Sequence, residues 1–296
     1  MEFLGPITVT HLICLAGLIL LACWLLRTSL GSKALADSKP RRNNMPLYLP
    51  FIPLFIWFGA VSLAISITEK LAGDLQDWQS DFLDNLILSI GGLTATAVII
   101  FLARAHFARR LKGFGLNIRA IHKDFVVAFV NLLTIWPLMM AAIILTISFG
   151  KHIWGQEYEI QPHQELELIT QYPQLPLRIL IAVVAVVIAP VLEELLFRGL
   201  VQTMIRSYLD ARCLILDTRQ ESRIENRESR KAWLAILISS GLFTVVHANA
   251  GHWPALFVLG VCLGYAYEKS GSLFRPIFIH SLFNATSIMA TLSQYP

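Results

Sequence analysis

Charge is scarce in this chain. Asp, Glu, Lys and Arg together make up only 15% of it, hydrophobic residues make up 55%, and the mean hydropathy is +0.61. A soluble domain carries about a quarter charged residues. The shortage therefore excludes an ordinary soluble globular protein and leaves an integral membrane protein. Cysteine is scarce too. Cys14, Cys23, Cys213 and Cys262 show no paired spacing, so neither a disulfide framework nor a zinc–thiolate site is indicated. No internal repeat is detectable, which counts against the repeat-built transporter folds. The sequence His-Glu-x-x-His, the strongest zinc-protease signal, is missing. The start, Met1-Glu2-Phe3, has no basic n-region, so residues 1–26 do not read as a signal peptide. Leu20-Leu21-Ala22-Cys23 has the form of a lipoprotein cleavage box, but Trp24-Leu25-Leu26 follows it and no basic stretch precedes it.

What is present in abundance is long apolar runs. A helix needs roughly 20 residues to cross about 30 Å of hydrocarbon. Suitable stretches lie near 7–26, 47–67, 85–105, 125–149, 177–205, 233–248, 254–268 and 275–292. They predict an all-α polytopic bundle of about eight transmembrane helices lying in a lipid bilayer. Basic residues follow the first, third and fifth spans, for example Arg41 and Arg42, Arg109 and Arg110, and Arg230 and Lys231. Acidic residues follow the second and fourth, for example Asp77, Asp81, Glu165 and Glu167. This alternation fits the positive-inside rule with both termini outside. Topology thus accounts for the net charge of +4, and no nucleic-acid partner is implied. The chain divides into an N-terminal scaffold of four spans over 1–150, an outer loop over 151–176 and a core over 177–292. A charged inner connector, 207–232, lies within that core. The connector reads as a solvated helix or an inner extension of the sixth span.

One apolar run ends in two adjacent carboxylates, Ala189-Pro-Val-Leu-Glu193-Glu194-Leu-Leu-Phe-Arg198. A charge in a bilayer is costly and usually has a function. On a helix, residues four apart share a face, so Arg198 meets Glu194 and the pair neutralises itself. Glu193 points about 100° away and has no local partner. An unpaired carboxylate in a low-dielectric site holds a proton more readily than one in water, which suits a general base or acid. The same four-residue spacing recurs in Phe243-Thr-Val-Val-His247 and in His280-Ser-Leu-Phe-Asn284. A carboxylate, two imidazoles and an amide from three helices could activate water and stabilise an oxyanion. Alternatively, His247, His280 and Glu193 could hold a divalent metal such as zinc.

Glu-Glu-x-x-x-Arg, then Phe-x-x-x-His, then His-x-x-x-Asn, in that order on membrane helices, resembles the CPBP family of intramembrane proteases. That family includes the type II CAAX prenyl endopeptidases and bacterial Abi-like proteins linked to bacteriocin self-immunity. The matching positions are Glu193, Glu194 and Arg198; Phe243 and His247; and His280 and Asn284. Gly260 to Tyr267 and Ser270-Gly-Ser-Leu273 also look like the family's linking helix and turn. The resemblance covers roughly residues 177–292 and none of the first four spans. It implies hydrolysis of a peptide bond in a membrane-associated or CAAX-type peptide or protein. Glu193 and His247 would activate the water, His280 and Asn284 would line the oxyanion side, and Glu194, Arg198 and Phe243 would support them. The family has been described both as metalloproteases and as glutamate-dependent proteases. The residues themselves favour a glutamate-activated water with no obligatory metal.

A proton-coupled transporter or channel using the same Glu/His cluster is the competing expectation, and a catalytically idle membrane binding protein is a third. The proposed cluster faces one geometric difficulty. His247 lies about 24 Å along the sixth span from Lys231, whereas His280 lies about 6 Å beyond Pro276 on a span running the same way. Either the sixth helix begins well before Lys231 or the loop Lys269–Arg275 dips inward. A separation of His247 and His280 beyond about 12 Å would break the single site. His252 is expected at an interface, facing away from His247. His106, His122, His152 and His163 are expected in loops or at interfaces. Trp24, Trp154, Trp233 and Trp253 lie near predicted span ends or loops and read mostly as interface anchors, whereas Trp57 and Trp136 fall nearer mid-span.

Overall fold

A computed structural model describes residues 9–71, 73, 75–161, 163–216, 224–247 and 249–294. The described residues form an all-helical bundle with no strand beyond an isolated bridge between Asn43 and Phe107. The long helices are α1 (Val9–Arg27), α2 (Phe51–Leu71) and α3 (Asp77–His106). A short turn, α4 (Arg110–Phe114), leads to α5 (Ile121–Trp154), and α6 (Gln164–Gln171) lies in the outer segment. A continuous helical stretch then combines α7 (Leu175–Val183), α8 (Ala189–Glu193) and α9 (Thr203–Leu216), with π-helical turns at Val184–Ile188 and Glu194–Gln202 between them. The chain ends with α10 (Ile224–Val245), α11 (Trp253–Ser270) and α12 (Phe274–Gln294).

Among the described residues, five stretches are long and apolar enough to cross a membrane. They are Thr10–Arg27, Phe51–Leu71, Asp77–His106, Ile118–Trp154 and Leu175–Ala211. The remaining predicted spans are helical as α10, α11 and α12, but they are shorter or more polar. Helices form over these runs because, in hydrocarbon, each backbone amide must find its partner within its own segment. Ends are marked by local chemistry: Pro254 and Pro176 sit in the first turns of α11 and α7. Gly271 closes α11 at φ 74°, where its N–H reaches Tyr267 O.

Small residues allow helices to approach closely. A Cβ on Gly91 would lie 2.2 Å from Ala60 Cβ, at the α2–α3 contact, and a Cβ on Gly17 would lie 2.3 Å from Leu133 O, at the α1–α5 contact. The predicted outer loop is more ordered than expected: α5 runs on to Trp154 and α6 adds two further turns. The inner connector is partly an extension of the sixth span, because α10 begins at Ile224. Its ends are not simply solvated. Arg206, 2% exposed, is 2.6 Å from Glu228, 3.7 Å from Asp210 and 3.8 Å from Glu268, and Lys231 joins Asp210 and Glu228. The connector's centre, 217–223, lies outside the described residues, as does His163's neighbour at 162.

Candidate active site

Phe243, fully buried on α10, is the hub of the site. Its ring meets Phe197 edge-on at 5.5 Å between centroids, His247 at 4.8 Å and His280 at 5.7 Å. The Arg198 guanidinium lies over its face at 4.3 Å, a cation–π contact made strong by exclusion of water. Because the two imidazoles flank one ring, their separation cannot exceed the sum of those two distances. It therefore falls inside the ~12 Å bound for a shared site.

The first route out of the depth problem is used. Helix α10 starts seven residues before Lys231, at Ile224. The turn between α11 and α12 is tied down: Leu273 is fully buried, and its N–H bonds to Gly115 O at 3.0 Å. Arg41 caps the same turn through the carbonyls of Gly271 and Tyr267, each at 3.3 Å. Irregular backbone is tolerated at such a place because protein groups satisfy it.

The Glu194–Arg198 pair forms as helical spacing requires, at 3.0 Å, with Glu194 0% and Arg198 1% exposed. It is not closed on itself. Glu194 Oε1 also lies 2.9 Å from His280 Nδ1. Glu193 is not partnerless either, since its Oε2 stands 3.9 Å from His280 Nε2. Both contacts share one cause: the imidazole arrives from α12, a helix whose approach cannot be read from the spacing around Glu193. His280, 4% exposed, is therefore held between the two carboxylates. The ion-paired Glu194 can only accept, so Nδ1 of His280 carries the proton and Nε2 faces Glu193. His247 is fixed in the same sense. Its Nδ1 lies 2.7 Å from Phe243 O, a carbonyl that can only accept, and its Nε2 is free. Glu193 Oε2 is buried without a hydrogen-bond partner, and 3.9 Å is too long to count as one.

Asn284 stands one turn beyond His280 and donates through Nδ2 to Ala185 O at 2.7 Å. Glu193, His247, His280 and Asn284 all line one cavity of about 1150 Å³. Its walls come from both halves of the chain: Trp57 of α2 and Trp136, Met139 and Met140 of α5 contribute apolar surface. Its rim carries His163 and His252, stacked at 4.2 Å between centroids. Asn249 and His252 both bond the carbonyl of Gln161 at 2.9 Å, tying the outer segment to the start of α11. His252 lines the same cavity as His247. Burial, then the neighbouring His252 and His247, hold His163 well below the ordinary histidine value, at about 4.

A buried polar ladder locks the carboxylate-bearing helix to α11. Arg198 donates to Gly260 O at 3.3 Å, Gln202 to Gly264 O at 3.1 Å, and Arg206 stands 3.8 Å from Glu268. Gly260 and Gly264 make this possible, because side chains there would press on Ser240 of α10 and on Gln202 and Ile236. Gln202 was not among the expected site residues. Its signal was present, since 198, 202 and 206 repeat at the spacing of 260, 264 and 268.

The donor set does not fit a metal ion. No group of three His, Cys, Asp or Glu side chains among the described residues converges as a metal site would require.

Fold and cavity together define a polytopic membrane protein with a carboxylate–imidazole site enclosed by helices. Residues 175–286 match the family model described as type II CAAX prenyl endopeptidase Rce1-like. This bears out the CPBP resemblance for that part of the chain. Comparison with curated proteins gives no match, and neither does comparison with solved structures.

Proposed function

We propose that the protein is an intramembrane endopeptidase that hydrolyses a peptide bond in a membrane-associated, CAAX-type peptide or protein, using water activated by Glu193 and His247. The observation that carries this reading is the Glu193 carboxylate. One of its oxygens is buried without a hydrogen-bond partner, in a cavity shared with two imidazoles. An acceptor so placed can take a hydrogen bond from a water in that cavity.

In the proposed reaction the water oxygen attacks the scissile carbonyl carbon, and a water proton moves to Glu193. His247 Nε2 accepts the second water hydrogen bond and orients the attack. The carbonyl electrons move onto oxygen, on the side of the cavity lined by His280. Collapse of the tetrahedral adduct breaks the C–N bond, and Glu193 returns its proton to the leaving amine. Groups pre-aimed at developing charge in this way are among the largest contributors to catalysis.

The test is cleavage of a fluorogenic peptide library by the purified protein in detergent, with and without a strong chelator. Glu193→Ala and His247→Ala should each abolish cleavage, and the chelator should leave it intact. Cleavage that survives both substitutions would refute the assignment. Liposome ion flux lost on Glu193→Gln would point to a transporter instead. The orientation with both termini outside belongs to the same proposal, and cysteine labelling from each side of the membrane tests it.

A further inference from the structure

The helix that carries Glu193 changes register before it reaches that residue. Across Val184–Ile188 the hydrogen bonds run five residues back, so the N–H of Ala189 serves Val184 O. The next carbonyl, Ala185 O, has thereby lost its ordinary α-helical donor. In the five-residue register its donor would be residue 190, and residue 190 is proline, which has no N–H. Register and sequence together leave this carbonyl without a main-chain donor. The amide of Asn284 supplies one, from Nδ2 at 2.7 Å.

The location matters. Ala185, Ala189 and Glu193 follow one another at four-residue intervals and line the same cavity. The π-turn inserts one extra residue and so rotates everything after it by about 100° relative to α7. The direction of Glu193 thus depends on keeping that turn. Helix α12 holds this stretch at two points one turn apart: His280 Nδ1 on Glu194 at 2.9 Å and Asn284 Nδ2 on Ala185 O at 2.7 Å.

We infer that Asn284 is a positioning residue, which closes the hydrogen bond that the π register and Pro190 leave open at Ala185 and so fixes the aim of Glu193. The inference rests on the peptidase reading for its effect on turnover, but not for its effect on the fold. In this role one N–H of the amide acts through the helix.

The test is a double-mutant cycle in detergent-purified full-length protein, reading thermal unfolding alongside kcat and KM. Asn284→Ala should lower Tm by several degrees and kcat by about tenfold or more, with KM within about twofold. Asn284→Asp, of the same shape but with a carboxylate that cannot donate, should lose at least as much. Pro190→Ala restores an N–H at the position that serves Ala185 O in the five-residue register. Against the Pro190→Ala single variant as reference, adding Asn284→Ala should cost almost no Tm and less than about threefold in kcat. Equal losses in Tm and kcat in both backgrounds would overturn the inference, because an oxyanion donor is indifferent to residue 190. Should no variant, including wild type, cleave any peptide, the peptidase reading fails while the Tm cycle still decides the role of Asn284.

Discussion

The first four long helices and the segment from Leu175 onward are built on different principles. Helices α1, α2 and α3 meet their neighbours through bare close approaches such as Gly91 on Ala60 and Gly17 on the carbonyl of Leu133. Much of their apolar surface faces outward: Leu12, Leu15, Phe55 and Phe101 are all well exposed. The later segment buries Glu194, Arg198, Gln202, Arg206 and His280 and gives each a polar contact on another helix. In lipid, apolar side chains gain nothing from leaving solvent for a neighbour, so small-residue packing is enough to assemble spans. It does not by itself fix one rotation or one depth. Buried polar pairs do, because any other register leaves a charge unpaired. Helix α5 breaks the division. It belongs by sequence to the scaffold, yet it lines the cavity with Trp136 and Met139 and is joined to α12 by the Asp124–Arg275 pair at 2.9 Å.

The largest effect that would sharpen this contrast is chemical. Glu193→Gln keeps shape and removes the base, so kcat should fall about 10²–10⁴-fold with Tm almost unchanged; a drop in Tm comparable to that of Arg198→Ala would make Glu193 a structural residue. Arg198→Ala strands Glu194 fully buried and should cost about 3–5 kcal/mol in unfolding free energy, measured by thermal unfolding of the purified protein. A matched pair of glycine substitutions compares the two halves directly. Gly264→Ala presses on Gln202 and Ile236, and Gly91→Ala on Ala60. Each should cost about 1–3 kcal/mol, but only Gly264→Ala should also lower kcat; equal losses of kcat would erase the distinction between scaffold and core. Trp136→Ala tests whether α5 shapes the substrate site. KM should rise about fivefold or more with kcat held, whereas Trp24→Phe, which loses only the 3.0 Å bond to Tyr265, should leave KM alone.

The smallest expected effect is at the rim. His163 is held at about 4, below its ordinary 6.5, by burial and by His252 and His247. A histidine depressed in the fold favours the structure while neutral. Its contribution is complete above 6.5 and drains away as pH falls toward about 4. Limited proteolysis of the outer segment near residues 155–171 should therefore quicken between pH 6.5 and pH 4.5, and His163→Asn should flatten that dependence. An unchanged slope in His163→Asn would assign the effect to another group.

The residues that meet at the site were legible before any coordinates: spacing alone paired Glu194 with Arg198 and put Phe243 with His247 and His280 with Asn284. What spacing could not show was the traffic between helices. It made Glu193 solitary and Glu194 occupied, because local periodicity reports neighbours on one helix and is blind to an imidazole arriving from another. The same blindness hid Gln202 and the part that Trp57 and Trp136 play in the cavity wall. Composition and apolar run length determined that the chain is a helical membrane protein, because hydrocarbon tolerates few other backbone arrangements and the cost is set residue by residue. The candidate site residues were named at the same level, since their chemistry is their own. Tertiary structure alone decided that His280 stands between two carboxylates, that one cavity draws its walls from both halves, and that a side chain of α12 completes a hydrogen bond within another helix. Each of these depends on the relative rotation and depth of helices, which are set by contacts distant in sequence.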